Sequence, residues 1–151
     1  MCALNVVKGM KLNMDNKNIN NITLYLNNNK QIMLDKKYLD NFFISNIDAD
    51  GNEIAYDNDK NGNLVGNFLT LKVHNLFNST DEFVDSISNH YIEKIEINLF
   101  NNSQKTIFFN EKKVIEKGKR KNINKEILVY KNCVCILISK YKMKYIKSFF
   151  V

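Results

Sequence analysis

Hydrophobic and polar residues alternate along much of the chain, and this alternation predicts β-strands. The clearest example runs from Ile92 to Phe100, where Ile95, Ile97 and Leu99 share one face and polar residues occupy the other. A strand with one apolar and one polar face is buried on one side only. The pattern therefore predicts a half-buried strand in a sheet that covers a core.

The longest apolar runs lie near the end of the chain, at Ile127–Tyr130 and Cys133–Ile138. Both are rich in β-branched residues and too short to cross a membrane, so they predict strands buried on both faces. Lys131 and Asn132 separate the two runs. Because strands usually span about five to six residues, two strands joined by a tight turn fit the pattern better than one long strand.

Other strands are predicted in pairs around turns rich in Asn, Asp and Gly. One pair is Ile22–Leu26 with Gln31–Leu34, and a second is Phe42–Ile47 with Glu53–Tyr56. Leu64–Phe77 adds further strand-like content. Because the chain contains no proline, Asn, Asp and Gly are its main turn signals.

Two helices are predicted. Asp35 is placed to cap a short helix from Lys36 to Phe43. A longer one is predicted from Thr80 to His90, where Ser79-Thr-Asp-Glu82 has the spacing of a capping box and a stripe of apolar residues follows.

These elements predict an α+β fold that is mainly β. Antiparallel meander sheets would form a sandwich or a partly open barrel, with one amphipathic helix near residues 80–90. Residues 1–21 are predicted to be a loose N-terminal lead-in, and residues 22–151 a single β-rich domain, since 151 residues suffice for one core.

The composition is skewed towards residues with AT-rich codons. Asn, Lys and Ile number 26, 21 and 17, whereas there is one arginine and no proline. The skew indicates an AT-rich genome. The three cysteines form no disulfide framework, and the first residues have no apolar core of signal-peptide length. We therefore expect an intracellular or virion location, without secretion by a signal peptide and without a transmembrane segment.

The charge is unevenly distributed. Residues 1–100 carry 9 Lys and 13 acidic residues, a net charge of −4, whereas residues 101–151 carry 13 basic and 3 acidic residues, a net charge of +10. A basic loop at residues 117–125 and a strand at residues 140–147, on which lysines alternate with aromatic residues, would suit an anionic partner or simply face solvent. The candidate contacts are Lys117, Lys119, Arg120, Lys121, Lys125, Lys142 and Lys144.

One motif resembles part of a cation site. Asp57, Asp59 and Asn61, followed by Gly62, match the first half of a calcium-binding EF-hand loop, but Phe68 stands where the closing glutamate should be. The motif is therefore a weak calcium candidate, and its alternative is an ordinary turn. Cys133 and Cys135 could form a thiolate pair, but a second ligand pair is missing, so core cysteines are the better interpretation.

The sequence shows no catalytic signature. His74 and His90 are the only histidines, and neither accompanies a nucleophile motif or a glycine-rich phosphate loop. We predict that the protein is not an enzyme and uses no cofactor.

The main functional hypothesis is a non-enzymatic structural or interaction protein, a component of a phage or phage-like particle from an AT-rich genome. Its partners would be protein subunits of an assembly, in a homo- or hetero-oligomer. The apolar end, Phe149, Phe150 and Val151, would pack into a neighbouring subunit or into the domain's own core. A nucleic-acid-binding module that uses the basic last third is the alternative, and a calcium-dependent binding module is the second alternative.

Overall fold

The computed structural model describes residues 18–74, 80–109, 114–116, 119–121, 124–130 and 133–141. These residues form one α-helix, α1 (Thr80–Asn89), and thirteen strands. The strands are β1 (Ile19–Leu26), β2 (Gln31–Asp35), β3 (Leu39–Ile47), β4 (Glu53–Ile54), β5 (Asp57–Asn58), β6 (Leu64–Gly66), β7 (Phe68–His74), β8 (Ile92–Leu99), β9 (Gln104–Phe109), β10 (Val114–Glu116), β11 (Lys119–Lys121), β12 (Asn124–Tyr130) and β13 (Cys133–Ser139).

The strands form two large sheets and one small one. The six-stranded sheet has the order β2-β1-β8-β9-β6-β5, the five-stranded sheet has the order β12-β13-β7-β3-β4, and β10 pairs with β11 alone. Within the large sheets the pair β6–β9 is parallel, and the other pairs are antiparallel. The predicted class, α+β and mainly β with one helix, is confirmed, and the sheets do not close into a barrel.

The two large sheets share one core. Ile22 and Leu24 of β1 belong to the same buried cluster as Leu69 and Leu71 of β7. On β8 the predicted alternation holds, because Ile95 and Ile97 are completely buried while the polar residues that alternate with them, Lys94, Glu96 and Asn98, are partly exposed. Apolar burial between the sheets is the main stabilising contribution to such a fold.

The helix α1 packs against this core through Phe83 and Ile87, and it begins and ends within one residue of its predicted limits. The turn between β1 and β2 holds it on one side, where Lys30 Nζ donates to Ser86 Oγ at 2.9 Å. The same turn bonds to the segment between α1 and β8, since the Tyr91 amide donates to Asn27 Oδ1 at 3.1 Å.

The predicted short helix from Lys36 to Phe43 is wrong. A single 3₁₀ turn covers Lys36–Tyr38, and β3 then runs from Leu39 to Ile47. Phe42 and Phe43 lie opposite residues of β7 in an antiparallel ladder. Aromatic and β-branched residues fit such a pleated surface well, so pairing with β7 overrides the capping signal of Asp35.

The basic segment before the two apolar runs differs from the sequence prediction. Residues 117–125 were expected to form a loop, but Lys119–Lys121 forms β11 and pairs with β10, and β12 already begins at Asn124. The predicted hairpin of the two apolar runs is confirmed, because Tyr130 pairs with Cys133. The described part of the chain has no helix long and apolar enough to cross a membrane.

Candidate interaction edge

The strand β12 forms an open edge of the five-stranded sheet. It pairs with β13 on one side through seven consecutive residue pairs in unbroken register, from Asn124–Ser139 to Tyr130–Cys133. Among the described residues, no strand pairs with its other side. We call this other side, from Glu126 to Tyr130, the β12 edge.

The β12 edge exposes apolar side chains. Leu128 is 38% exposed and Val129 is 52% exposed. Leu128 lies opposite Cys135 and Val129 opposite Val134, so the two side chains belong to opposite faces of the sheet. The sequence predicts that Ile127–Tyr130 is a strand buried on both faces. For Leu128 and Val129 that prediction is wrong, because among the described strands β12 has a neighbour on one side only.

The first half of β12 is anchored to the molecule. Lys125 Nζ donates to the carbonyl oxygens of Ile87 at 2.6 Å and His90 at 3.0 Å, at the carboxyl end of α1. Ile127 packs against the inter-sheet core. The position of the β12 edge is therefore fixed by α1 and by the core.

The other edge strands are less suited to binding a partner strand. The strands β4 and β5 have two residues each. The strand β2 has five residues and ends in the charged Asp35. Short or charged edges resist the addition of another strand. The strand β12, with seven residues, is the longest edge strand among the described residues.

The calcium candidate is a hairpin turn in the structure. Asp59 Oδ1 accepts the backbone N–H groups of Asn61 and Asn63, each at 2.9 Å, and Oδ2 accepts Asn63 Nδ2 at 3.1 Å. Asp57 lies outside this turn, in β5 opposite Val65. Among the described residues, no group of three or more His, Cys, Asp or Glu side chains is placed to hold a metal ion.

A second turn repeats this geometry. Asp48 Oδ1 accepts the N–H groups of Asp50 at 3.0 Å and Asn52 at 2.9 Å. In both turns the aspartate accepts a hydrogen bond from the backbone N–H group of the final Asn, Asn52 or Asn63. This hydrogen bond is the main cause of the lowered pKa of the aspartate. The repeat of Asp-x-x-Gly-Asn, with the Gly at positive φ, identifies these carboxylates as acceptors for turn amides.

The predicted basic residues fall into three groups. Lys119, Arg120 and Lys121 form β11, which belongs to neither large sheet. The ammonium group of Lys125 faces the end of α1, as described above. Lys117, Lys142 and Lys144 lie outside the described residues, as do the assembly candidates Phe149, Phe150 and Val151.

The five-stranded sheet buries a polar group that the sequence did not predict. Lys72 Nζ lies 2.6 Å from Asp40 Oδ2, and the lysine side chain is only 6% exposed. Lys72 alternates with the core residues Leu71 and Val73, so it lies on the face that points away from the other sheet. On the same face Cys135 lies opposite Lys72, and both Cys133 and Cys135 are buried.

The outer face of the six-stranded sheet carries a cluster of interacting polar and aromatic side chains. Register places one residue of every strand in a single row across it: Gln31, Tyr25, Lys94, Phe108, Val65 and Asp57. The Lys94 ammonium lies 4.6 Å from the centroid of the Tyr25 ring, and Tyr25 donates its hydroxyl to Glu96 at 3.0 Å. Partial burial and the neighbouring Glu96 raise the pKa of Tyr25. These contacts hold the polar face together.

Comparison with known protein families, with curated proteins and with solved structures finds no match for this chain. Its function must therefore be inferred from its own residues and geometry.

Proposed function

We propose that this protein is a structural, non-enzymatic interaction protein, a subunit of a phage or phage-like particle, and that it joins its assembly by strand pairing at the β12 edge. The observation that carries the proposal is the exposure of Leu128 and Val129 on a regular edge strand of seven residues. A strand of this kind offers a row of backbone N–H and C=O groups to another chain.

The particle itself is supported by composition. An AT-rich codon bias and a small, strand-rich domain fit a subunit of a phage encoded by such a genome. The β12 edge adds a surface through which such a subunit would contact its neighbour.

The proposal is tested by particle sedimentation. In extracts of the cells that make the protein, we expect the chain to sediment with a large assembly whose major proteins and nucleic acid can then be identified. Leu128→Lys should release the chain to the soluble fraction, because a charge on an edge strand opposes strand addition. Met33→Lys, at a position 62% exposed in β2, is the matched control.

A chain that sediments as a single subunit in these extracts, and that is monomeric by light scattering when purified at high concentration, would contradict the proposal. Sedimentation of both variants with the assembly would contradict the role of the β12 edge.

A second candidate function is nucleic-acid binding. The observation in its favour is that Lys119, Arg120 and Lys121 occupy consecutive positions of a two-stranded ribbon separate from both large sheets. A two-stranded ribbon is one of the elements that fit the major groove of DNA, and lysine and arginine bind phosphates.

This second function is tested by fluorescence anisotropy with labelled single- and double-stranded oligonucleotides. Affinity should fall steeply as salt rises, and replacing all three basic residues by alanine should weaken binding and reduce the salt dependence. A triple alanine variant of Lys36, Lys37 and Lys60, which lie elsewhere on the chain, is the control for net charge. Absence of binding at low salt would exclude this function.

A further inference from the structure

The β12 edge is suited to pairing with itself. We infer that β12 pairs antiparallel with β12 of a second copy of this chain, across a two-fold axis at Leu128, so that the two five-stranded sheets become one continuous sheet. This inference rests on the proposed function, because it names the partner of the same edge.

Symmetry restricts the registers that such a pairing can take. Two identical edges that join antiparallel are related by a two-fold axis, and each residue that lies on the axis is opposite its own copy. Opposite residues in an antiparallel pair share a face of the sheet. A continuous sheet therefore places one residue of β12 on the axis, and the candidates near the middle of the edge are Ile127, Leu128 and Val129.

The register centred on Leu128 matches apolar residues with apolar residues. It places Leu128 opposite its own copy and Ile127 opposite Val129 of the second copy, so that apolar contacts form on both faces of the sheet. Leu128 lies on the outer face, and Ile127 and Val129 lie on the inner face. Glu126 is then opposite the neutral Tyr130.

The neighbouring registers are poorer. With Ile127 on the axis, the acidic Glu126 would face the apolar Leu128 of the second copy on both sides of the axis. Burying an unpaired charge beside apolar side chains is unfavourable. With Val129 on the axis, only Leu128 to Tyr130 would find opposite residues within β12, so the paired segment would be shorter. The register on Leu128 avoids the first mismatch and pairs all of Glu126–Tyr130.

A second copy also agrees with the chemistry of the edge. The usual protections of an edge strand are proline, a bulge or a central lysine, and Glu126–Tyr130 contains none of them in its sequence or in its register with β13. The one lysine of β12, Lys125, has its ammonium group at the carboxyl end of α1. The ammonium is therefore directed away from the pairing positions, and a second β12 meets no repulsion from it.

The inference is tested on the purified full chain without other proteins. Light scattering after size exclusion should give twice the mass of one chain, 17.7 kDa, and Leu128→Lys should give the single-chain mass. Met33→Lys should remain dimeric. Thermal unfolding of each variant checks that it is folded, and both substitutions are at exposed positions.

Cysteine cross-linking then tests the register. Leu128→Cys is made in a Cys135→Ser background, because Leu128 lies opposite Cys135 of its own chain. It should form disulfide-linked dimers under mild oxidation, since the residue lies opposite its own copy. Val129→Cys in the same background should form far fewer, because its opposite residue is Ile127 of the second copy, and the Cys135→Ser chain alone measures the background from the remaining cysteines.

The possible outcomes separate the two proposals. Efficient linkage of Val129→Cys but not of Leu128→Cys would overturn the register. A purified chain of single-chain mass would overturn self-pairing, yet the proposed function would stand if the chain still sediments with an assembly and Leu128→Lys releases it. A dimer with no assembly in the cell extracts would support self-pairing and contradict the particle.

Discussion

Two aspartates organise two short turns with the same five-residue pattern. Asp48 and Asp59 each accept two backbone N–H groups and one Asn side-chain amide within their own turn. The glycine in each turn, Gly51 or Gly62, has a positive φ that the tight backbone requires. The carboxylate and the glycine act together, which explains why the same five-residue pattern recurs.

The lowered pKa of Asp59 predicts how stability depends on pH. The depressed value arises mainly from the Asn63 N–H group, so ionised Asp59 stabilises the fold. This contribution is fully present above the pKa of the unfolded chain, about 3.9, and is lost as pH falls through the lower pKa of the folded chain. Asp59→Asn should lower the melting temperature at pH 7, and the difference from wild type should shrink as the pH is taken below 4.

The measurement is thermal unfolding from pH 2 to pH 7. Asp50→Asn is the control, because it removes an exposed carboxylate from the other turn, residues 48–52, and leaves the acceptor Asp48 in place. A difference between Asp59→Asn and wild type that does not vary with pH would contradict this role of the ionised carboxylate.

The buried ion pair predicts an asymmetry between its two partners. Asp40→Asn leaves the Lys72 ammonium in a nearly water-free site beside a neutral group, whereas Lys72→Met removes the charge and keeps the volume. Because Asp40 is 37% exposed and partly screened by water, we expect Asp40→Asn to cost about 1–3 kcal/mol and Lys72→Met to cost less. Urea denaturation measures both, and a larger cost for Lys72→Met would show that the pair is a net source of stability.

Between elements, the side chain of Lys125 joins α1 and β12. Lys125 reaches two carbonyl oxygens at the carboxyl end of α1, where the helix dipole favours a positive charge. The same lysine fixes the start of the edge strand. The helix therefore contributes to the placement of the β12 edge although it is not part of the sheet.

Removing this charge should destabilise α1 and β12 together. Lys125→Met keeps the aliphatic length and should cost about 1–2 kcal/mol, since two charge-assisted hydrogen bonds and the dipole interaction are lost. Hydrogen exchange by mass spectrometry should show faster exchange in both Thr80–Asn89 and Asn124–Tyr130. Lys60→Met, at an exposed lysine, is the control, and unchanged exchange in α1 would contradict the link.

Between β6 and β7 the chain passes from the six-stranded sheet to the five-stranded sheet. At this crossing the side chain of Asn67 makes two hydrogen bonds with the backbone of Ile47. Asn67 Oδ1 accepts the Ile47 N–H group and Asn67 Nδ2 donates to the Ile47 carbonyl oxygen, each at 2.9 Å. Beside it, a Cβ atom on Gly66 would lie 3.1 Å from the Ser45 carbonyl oxygen and 3.3 Å from a ring carbon of Tyr56. The chain can change sheets here because Gly66 has no side chain.

Gly66→Ala should therefore cost about 1–3 kcal/mol through overpacking. Gly62→Asn is the matched substitution, because the space around Gly62 is open and Asn29 and Asn102 already adopt positive φ in this chain. Chemical denaturation should show a much smaller loss for Gly62→Asn. Equal losses would indicate that the contacts at Gly66 relax freely.

For the whole molecule, local sequence patterns predict the hairpins and the helix, but they do not predict which distant strands pair. The hairpin β1–β2, the helix α1 and the hairpin β12–β13 follow from residues close together in the sequence. The pairs β1–β8 and β7–β13 join residues at least 59 positions apart, and no local signal specifies them. The parallel pair β6–β9 was missed for the same reason.

The candidate edge depends on those distant pairs. Apolar content alone suggested that β12 is buried on both faces, as β13 is. Which of the two strands has a second neighbour is decided by the pairing of β13 with β7. The exposure of Leu128 and Val129 is therefore a property of the topology, and the sequence gives no local sign of it.

Self-pairing at this edge also predicts how the stability of the whole molecule depends on concentration. When a dimer unfolds to two free chains, mass action favours the dimer by about 1.4 kcal/mol per mole of dimer for each tenfold rise in protein concentration. The melting temperature of the wild type and of Met33→Lys should therefore rise with concentration, whereas that of Leu128→Lys should stay constant because this variant unfolds as a monomer. Calorimetry over a hundredfold concentration range measures the effect, and a wild-type melting temperature that stays constant over that range would contradict the dimer.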